Sequence, residues 1–299
     1  MSVEKQEKNK KLKNSRTIML FILPALIVYL LFIIYPIIST FNNSLFEWNG
    51  ISDKVFIGFE NFKDLLVDKV FWISLKNNLY LVLISIFVQV PLGLIMALII
   101  VSNIRGTKIL SVLYFLPFLM SAVAIGLLWV FLYDPVNGPI NKLLNLFGVE
   151  SIHWLANSKT AIFSILVVIV WQFAPFYMIL FKASMVGIPE ELYEAAEIDG
   201  ANSFLKFLNI TLPLLLPTIV TSSILAVVGS LKTFDIFYVM LGGGAGNATE
   251  ILGTYMYRHS FINFNMGYGS AIASVMFILA LVSVILIFGI DMWRKRKVV

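Results

Sequence analysis

Glu194-Ala195-Ala196, then Gly200, then Ile210-x-Leu212-Pro213 fall on one of the few polar stretches of an otherwise apolar chain. Glu194, Glu197 and Asp199 offer carboxylates to basic side chains of a partner, and Ala195 and Ala196 make a small-residue face that another surface can approach closely. That chemistry is recognition rather than catalysis. The two histidines, His153 and His259, are far apart in the chain and lack the His-x-x-x-His spacing of a hydrolytic zinc site. With no cysteine, disulfides, thiolate metal sites and cysteine nucleophiles are excluded. Gly242-Gly243-Gly244-Ala245-Gly246 is not followed by the Lys and Ser or Thr of a phosphate-binding loop, so this chain is not expected to hold ATP itself.

The element that must present these residues reads as a helix, a turn and a second short helix. Pro189 suits a first helical position, and Glu190 and Glu191 come next in the first turn, where the helix dipole favours anions. Gly200 supplies a backbone able to turn with positive φ, and Asn202 or Ser203 can cap a second helix through Leu208. Read from local composition alone, the same pattern also fits a surface helix with no partner.

Around this segment the chain is built for a bilayer. Apolar residues make up 59% and charged residues 13% of 299, and the mean hydropathy is +0.90, whereas soluble domains are about half apolar and about a quarter charged. Six runs are long enough to cross the hydrocarbon as helices: Thr17 to Ile38, Leu79 to Val101, Ile109 to Leu132, Ala161 to Phe181, Ile210 to Leu231 and Met266 to Ile290. None contains Lys, Arg, Asp or Glu. An ion-driven secondary carrier often keeps an ionisable residue inside a helix, so these spans argue against that class. Most of the 22 Lys and Arg fall at the two chain ends, near Arg105, and between Lys182 and Asn209. The positive-inside rule places those regions, including both termini, in the cytoplasm. Basic ends flanking a span are anchors against anionic lipid rather than a nucleic-acid surface. Thr17 to Ile38 is longer than a signal-peptide core and has no small-x-small cleavage site after it, so it reads as a retained first helix.

The expected organisation is a basic tail at residues 1–16, a first span and outer loop at 17–74, a main membrane domain at 75–290 and a second basic tail at 291–299. In the outer loop Asn61 is expected to cap an interfacial helix, with Trp72 at headgroup depth. Pro24, Pro91, Pro117, Pro175, Pro213 and Pro217 are expected to kink their spans.

The spacing of Glu194-Ala195-Ala196, Gly200, Ile210, Leu212 and Pro213 resembles the cytoplasmic signature of the membrane subunits of binding-protein-dependent ABC importers. Seven fixed identities should arise by chance on the order of once in ~10⁸ starting points. Gly58-Phe59-Glu60-Asn61-Phe62, Trp154-Leu155, Phe234-Asp235 and Gly267-Tyr268-Gly269-Ser270-Ala271 are similar to the sugar-importer branch, the maltose, lactose and glycerol-phosphate type. Where relatives often carry Gly-Gly-Pro, this chain has its Gly-rich run at 242–246. The resemblance implies an all-α membrane protein with the type I importer fold and six transmembrane helices, in a bacterial cytoplasmic membrane. It also implies that Glu194, Ala195, Ala196, Asp199, Gly200, Ile210, Leu212 and Pro213 form a coupling helix and its approach, held by a separate ATPase subunit that uses the ATP and magnesium. A second permease subunit and an extracytoplasmic binding protein complete the implied assembly. The carbohydrate cargo comes from the same resemblance, with a non-sugar solute as the alternative.

For the path itself, amides and aromatic faces suit neutral sugars, which need hydrogen bonds and stacking rather than ion pairs. Gln89, Trp171, Gln172, Tyr177 and Tyr238 are the candidates, Gln172 and Tyr177 foremost. Trp and Tyr also mark bilayer interfaces, and amides also bond between helices.

Overall fold

The computed structural model describes residues 17–102, 105–241 and 246–298. The basic tail at 1–16, the pair 103–104 and the Gly-rich stretch at 242–245 lie outside the described residues. Helix α1 (Thr17–Asn43) leads into a small antiparallel hairpin, β1 (Phe46–Glu47) with β2 (Val55–Phe56), in which Phe46 faces Phe56. Then come α2 (Glu60–Val67), α3 (Lys69–Val101), α4 (Thr107–Leu119), α5 (Ala122–Leu132) and α6 (Pro139–Leu146). The rest is α7 (Ser158–Val186), α8 (Glu191–Ile198), α9 (Ser203–Lys232), α10 (Asp235–Leu241), α11 (Leu252–Tyr257) and α12 (Met266–Val298).

Helices α1, α3, α7, α9 and α12 each suffice to cross a bilayer, and α4 with α5 makes a sixth span if the pair counts as one. That pair corrects the expectation of one helix from Ile109 to Leu132 kinked at Pro117, because α4 ends at Leu119 and meets α5 at 97°. Met120 and Ser121 adopt extended backbone there, and the Ser121 hydroxyl accepts from Val123 N–H to begin α5 afresh. Three π-helical turns, Leu30–Ile34, Ser85–Gln89 and Phe207–Thr211, each end two residues before a proline, at Pro36, Pro91 and Pro213. The wider turn shifts the carbonyl ladder where a proline ring would strike the carbonyl four residues back. Pro117, Pro175 and Pro217 are carried within continuous helices.

The outer-loop helix also differs from expectation. Asn61 is not its cap; its amide donates instead to the carbonyls of Ser44 and Phe46, pinning the hairpin. The cap that matters is Asp68, whose Oδ1 accepts from Val70 and Phe71 N–H and starts α3 well before Leu79. At the other chain end the expected tail from 291 continues α12.

Helix α3 crosses α7 closely. A Cβ on Gly93 would lie 2.6 Å from the Cβ of Tyr177 and 3.0 Å from the Ala174 carbonyl, so only glycine allows this approach. Val90, Ala97, Met178, Phe181 and Leu215 fill the core on the side of the bundle near α8. Leu81, Ile125, Ile165, Leu166, Phe237 and Ile251 fill the opposite half, the far end. Helix α1 keeps its apolar side chains exposed, as suits lipid contact.

The far end is stitched by buried polar groups. Asp68 Oδ2 accepts from the hydroxyls of Tyr255 and of Tyr268, the latter at 2.5 Å, tying α3 to α11 and α12. Burial alone would raise the Asp68 pKa, but these two hydroxyls and two backbone N–H groups outweigh it and hold it below the usual carboxylate range. His259 packs between Tyr255 and Tyr268 at 4.6 and 4.7 Å between ring centres, and burial lowers its pKa. Arg258 ion-pairs with Glu250, which is 4% exposed. Asn77 donates to the carbonyls of Ala248 and Glu250 at 3.0 and 2.7 Å.

Candidate functional site

The signature residues occupy the short connection between two spans. After α7 ends, Leu192 and Tyr193 N–H bond to the carbonyls of Pro189 and Glu190, and α8 runs from Glu191 to Ile198. Gly200 has φ +76°, the left-handed turn expected of it, and Ala201 N–H closes the turn on the Ala196 carbonyl at 2.8 Å. Asn202 caps the next helical turn by accepting from Leu205 N–H at 2.9 Å. The separate second helix expected to end at Leu208 is instead the first turn of α9: the π-helical turn Phe207–Thr211 carries it without a break into the span.

This continuity makes α8 a side arm on the end of α9. Two contacts fix the arm. The Tyr193 hydroxyl and Thr211 Oγ1 lie 2.9 Å apart, with Thr211 buried, and Lys206 Nζ meets Glu197 Oε1 at 2.5 Å. The hydrogen bond from Lys206, and then its charge, lower the Glu197 pKa. Glu194, Ala195 and Asp199 are exposed and Ala196 half-buried; Ile198 is 88% exposed, so an apolar side chain stands in the open at the tip of the arm. Ile210 is half-buried in the π-helical turn, Leu212 is half-buried and Pro213 is exposed at the start of the α-helical part of the span. Sequence reasoning missed Tyr193 and Thr211, the latter being the free position of Ile-x-Leu-Pro.

Between α3, α7 and α9 lies a cavity of about 370 Å³. Its wall is aromatic at Phe118, Phe173, Phe176 and Tyr177 and polar at Ser85, Gln89, Ser230 and Thr233, with no ionisable Lys, Arg, His, Asp or Glu among its lining residues. Ser230 donates to Ser85 Oγ and Ser85 to Gln89 Oε1, each at 3.0 Å, so the polar side is a fixed chain ending in an amide. Phe118 stacks on Phe176 at 5.5 Å, and Phe176 meets Tyr177 edge-on at 5.3 Å.

Of the five path candidates, Gln89 and Tyr177 line this cavity and the other three do not. Gln172 is buried with its Oε1 unpartnered among the described residues, Trp171 packs edge-on against Trp129, and Tyr238 stacks on Phe234 near Arg258. On α7 the cavity face is Ile169, Phe173, Phe176 and Tyr177, a helical i, i+4, i+7, i+8 stripe. Trp171 falls on the opposite side of that helix and Gln172 at the margin. The stripe was available in the sequence, and Tyr177 is the one of its four residues among the candidates.

Residues 89–296, which hold both the side arm and most of the cavity lining, match the family described as the binding-protein-dependent transport system inner membrane component. The chain belongs to this family. This permease is 38% identical over 267 residues to the probable ABC transporter permease protein YurN of Bacillus subtilis, covering 88% of this chain and 91% of the relative. It is 34% identical over 286 residues to the trehalose/maltose transport system permease protein MalF of Thermococcus litoralis, covering 95% and 97%. A bacterial ABC transporter involved in the import of the acidic polysaccharide alginate shares its fold, with a TM-score of 0.83, 24% identity and coverage of 95% and 98%. The fold is therefore that of type I ABC importer permeases, and the chain is a membrane-spanning transport component.

Proposed function

We propose that this permease carries a neutral saccharide across the membrane and takes its driving force from a separate ATPase that grips α8. The observation behind the coupling role is the side arm itself: it projects Glu194, Asp199 and Ile198 outward while Tyr193 and Thr211 tie it to the end of α9. A subunit that clasps α8 and closes pulls directly on a span that lines the cavity. Both chain termini and α8 then lie on the cytoplasmic side, in keeping with the distribution of Lys and Arg. A second permease subunit completes the path, and an extracytoplasmic binding protein delivers cargo to the far end.

Carbohydrate as cargo draws on the trehalose/maltose relative and on the cavity. Four aromatic side chains and a hydroxyl-amide chain suit a ligand with apolar faces and many hydroxyls, and the uncharged lining offers no counter-ion to a charged one. Purification in mild detergent from the native membrane tests the assembly: an ATPase and a second permease should come with this chain, and the eluate should hydrolyse ATP faster when saccharide-loaded binding protein is added. Uptake of a labelled panel, trehalose, maltose, maltotriose and xylobiose against amino acids, tests the cargo. A chain recovered alone, without ATPase activity, would contradict the coupled reading, and uptake of amino acids only would contradict the saccharide.

A further inference from the structure

A second cavity, of about 380 Å³, opens at the far end and shares no lining residue with the one between α3, α7 and α9. Its wall includes Tyr133 and Asp134 just past α5, His153 and Trp154 ahead of α7, and Met240 and Leu241 closing α10. Its volume is that of a small-molecule site, about 300–1,000 Å³.

The frame of this cavity is built by one buried side chain. Asn141, 1% exposed, donates to the carbonyls of Asp134 and Ile152 and accepts from Ile152 N–H and from the Trp154 indole, at 3.0 to 3.3 Å. The Trp154 ring is stacked on Tyr133 at 5.3 Å, Tyr133 packs on Trp129 at 5.1 Å, and so the indole is held from behind. Asp134 Oδ1 accepts from Asn137 and Val136 N–H at 2.6 and 3.0 Å, which orients the carboxylate. Those bonds from Asn137 and Val136 keep Asp134 ionised by lowering its pKa. The two groups with chemistry at the mouth are therefore an oriented anion and the exposed imidazole of His153.

A carboxylate, an imidazole and a braced indole lining one cavity are what a pyranose ring needs. The carboxylate accepts from hydroxyls, the imidazole donates or accepts, and the apolar C–H face of the ring lies on aromatic and aliphatic surface. An anionic lipid headgroup would meet the Asp134 charge instead. We propose that this cavity is a reception subsite for one sugar ring of the cargo, occupied after release from the binding protein and before entry to the cavity between α3, α7 and α9. The proposal rests on the saccharide reading above.

The test uses the complete transporter in lipid nanodiscs without binding protein, with methyl α-glucopyranoside and methyl β-xylopyranoside as single-ring probes followed by saturation-transfer NMR. Ring-proton signals are expected with the unaltered protein, and Asp134→Asn and His153→Ala should each weaken binding by about fivefold. Asp134→Asn retains the oxygen that orders the turn. Trp154→Ala should weaken the signals further, leaving only what the cavity between α3, α7 and α9 contributes, and Trp154→Phe, which keeps an aromatic face, should restore them in part. Absent signals with the unaltered protein, or signals unchanged in Asp134→Asn and His153→Ala, would overturn the subsite. So would unchanged signals with a tenfold rise in the binding-protein concentration that half-saturates ATP hydrolysis, which would make the cavity a socket for that protein. Failure of the saccharide reading is separate, since it appears as no saccharide uptake by the unaltered transporter.

Discussion

The two ends of the bundle are held together in different ways. At the far end Asp68 joins the start of α3 to Tyr255 of α11 and Tyr268 of α12, and the buried Glu250 pairs with Arg258 across α11. At the other end α8 hangs on one hydroxyl pair and one ion pair whose acid is largely exposed. Buried charges are costly to leave without partners, whereas exposed pairs are worth little. The far end is thus built to keep its shape while the helices move, and the arm is built to be held by something else. Stability and transport should separate accordingly when each end is altered.

The largest loss of stability is expected from Glu250→Ala. It removes the charge partner of Arg258, which keeps only its bond to Asn247, and one of the two acceptors of the Thr254 hydroxyl, and should cost about 2–3 kcal/mol, read as a fall in the thermal midpoint of the detergent-solubilised protein. Gly200→Val comes next. Among the described residues, and apart from its two chain neighbours, no atom lies within 4 Å of the added Cβ, so the penalty is only the left-handed backbone, about 1–2 kcal/mol. The protein should therefore still reach the membrane while uptake falls to background; normal uptake at matched expression would remove the arm from the mechanism. Tyr193→Phe should cost about 1 kcal/mol and lower the sugar moved per ATP hydrolysed, because the arm loses its tie to α9. Lys206→Gln should leave the thermal midpoint unchanged.

Acidification sharpens the same contrast, since His259 and Asp68 of the far end act in one direction. His259 has a lowered pKa, so the unfolded chain takes up its proton first, and stability should decline as pH falls below about 6.5. Asp68, also lowered, contributes stability that is present above its ordinary value and lost as pH falls through the folded one. His259→Phe should remove the upper limb of the decline in a pH series of melting curves and leave the lower limb.

How much could be read in the sequence depends on how local each feature is. Uninterrupted apolar runs gave the spans, and Gly200 with Asn202 gave the turn and cap beyond α8, because each is decided within a few residues. The right angle between α4 and α5 depends on two extended residues inside an apolar run, which hydropathy does not register. Asp68 did carry a local sign, an acid immediately before a helix start, but its larger role joins residues nearly two hundred positions away. The cavity draws its wall from helices distant in sequence, and choosing polar and amphipathic residues on α7 by type found Tyr177 of the stripe but added Gln172, which lies beside it.

Because the chain has no cysteine, single cysteines can test the central claim against a clean background. Ala195→Cys on α8 and Ile51→Cys in the far-end hairpin would be cross-linked in native membranes with and without ATP. An adduct between Ala195→Cys and the ATPase subunit that changes with ATP, with none from Ile51→Cys, is the predicted result. An ATPase adduct from Ile51→Cys, or none from Ala195→Cys in a transporting complex, would contradict the account.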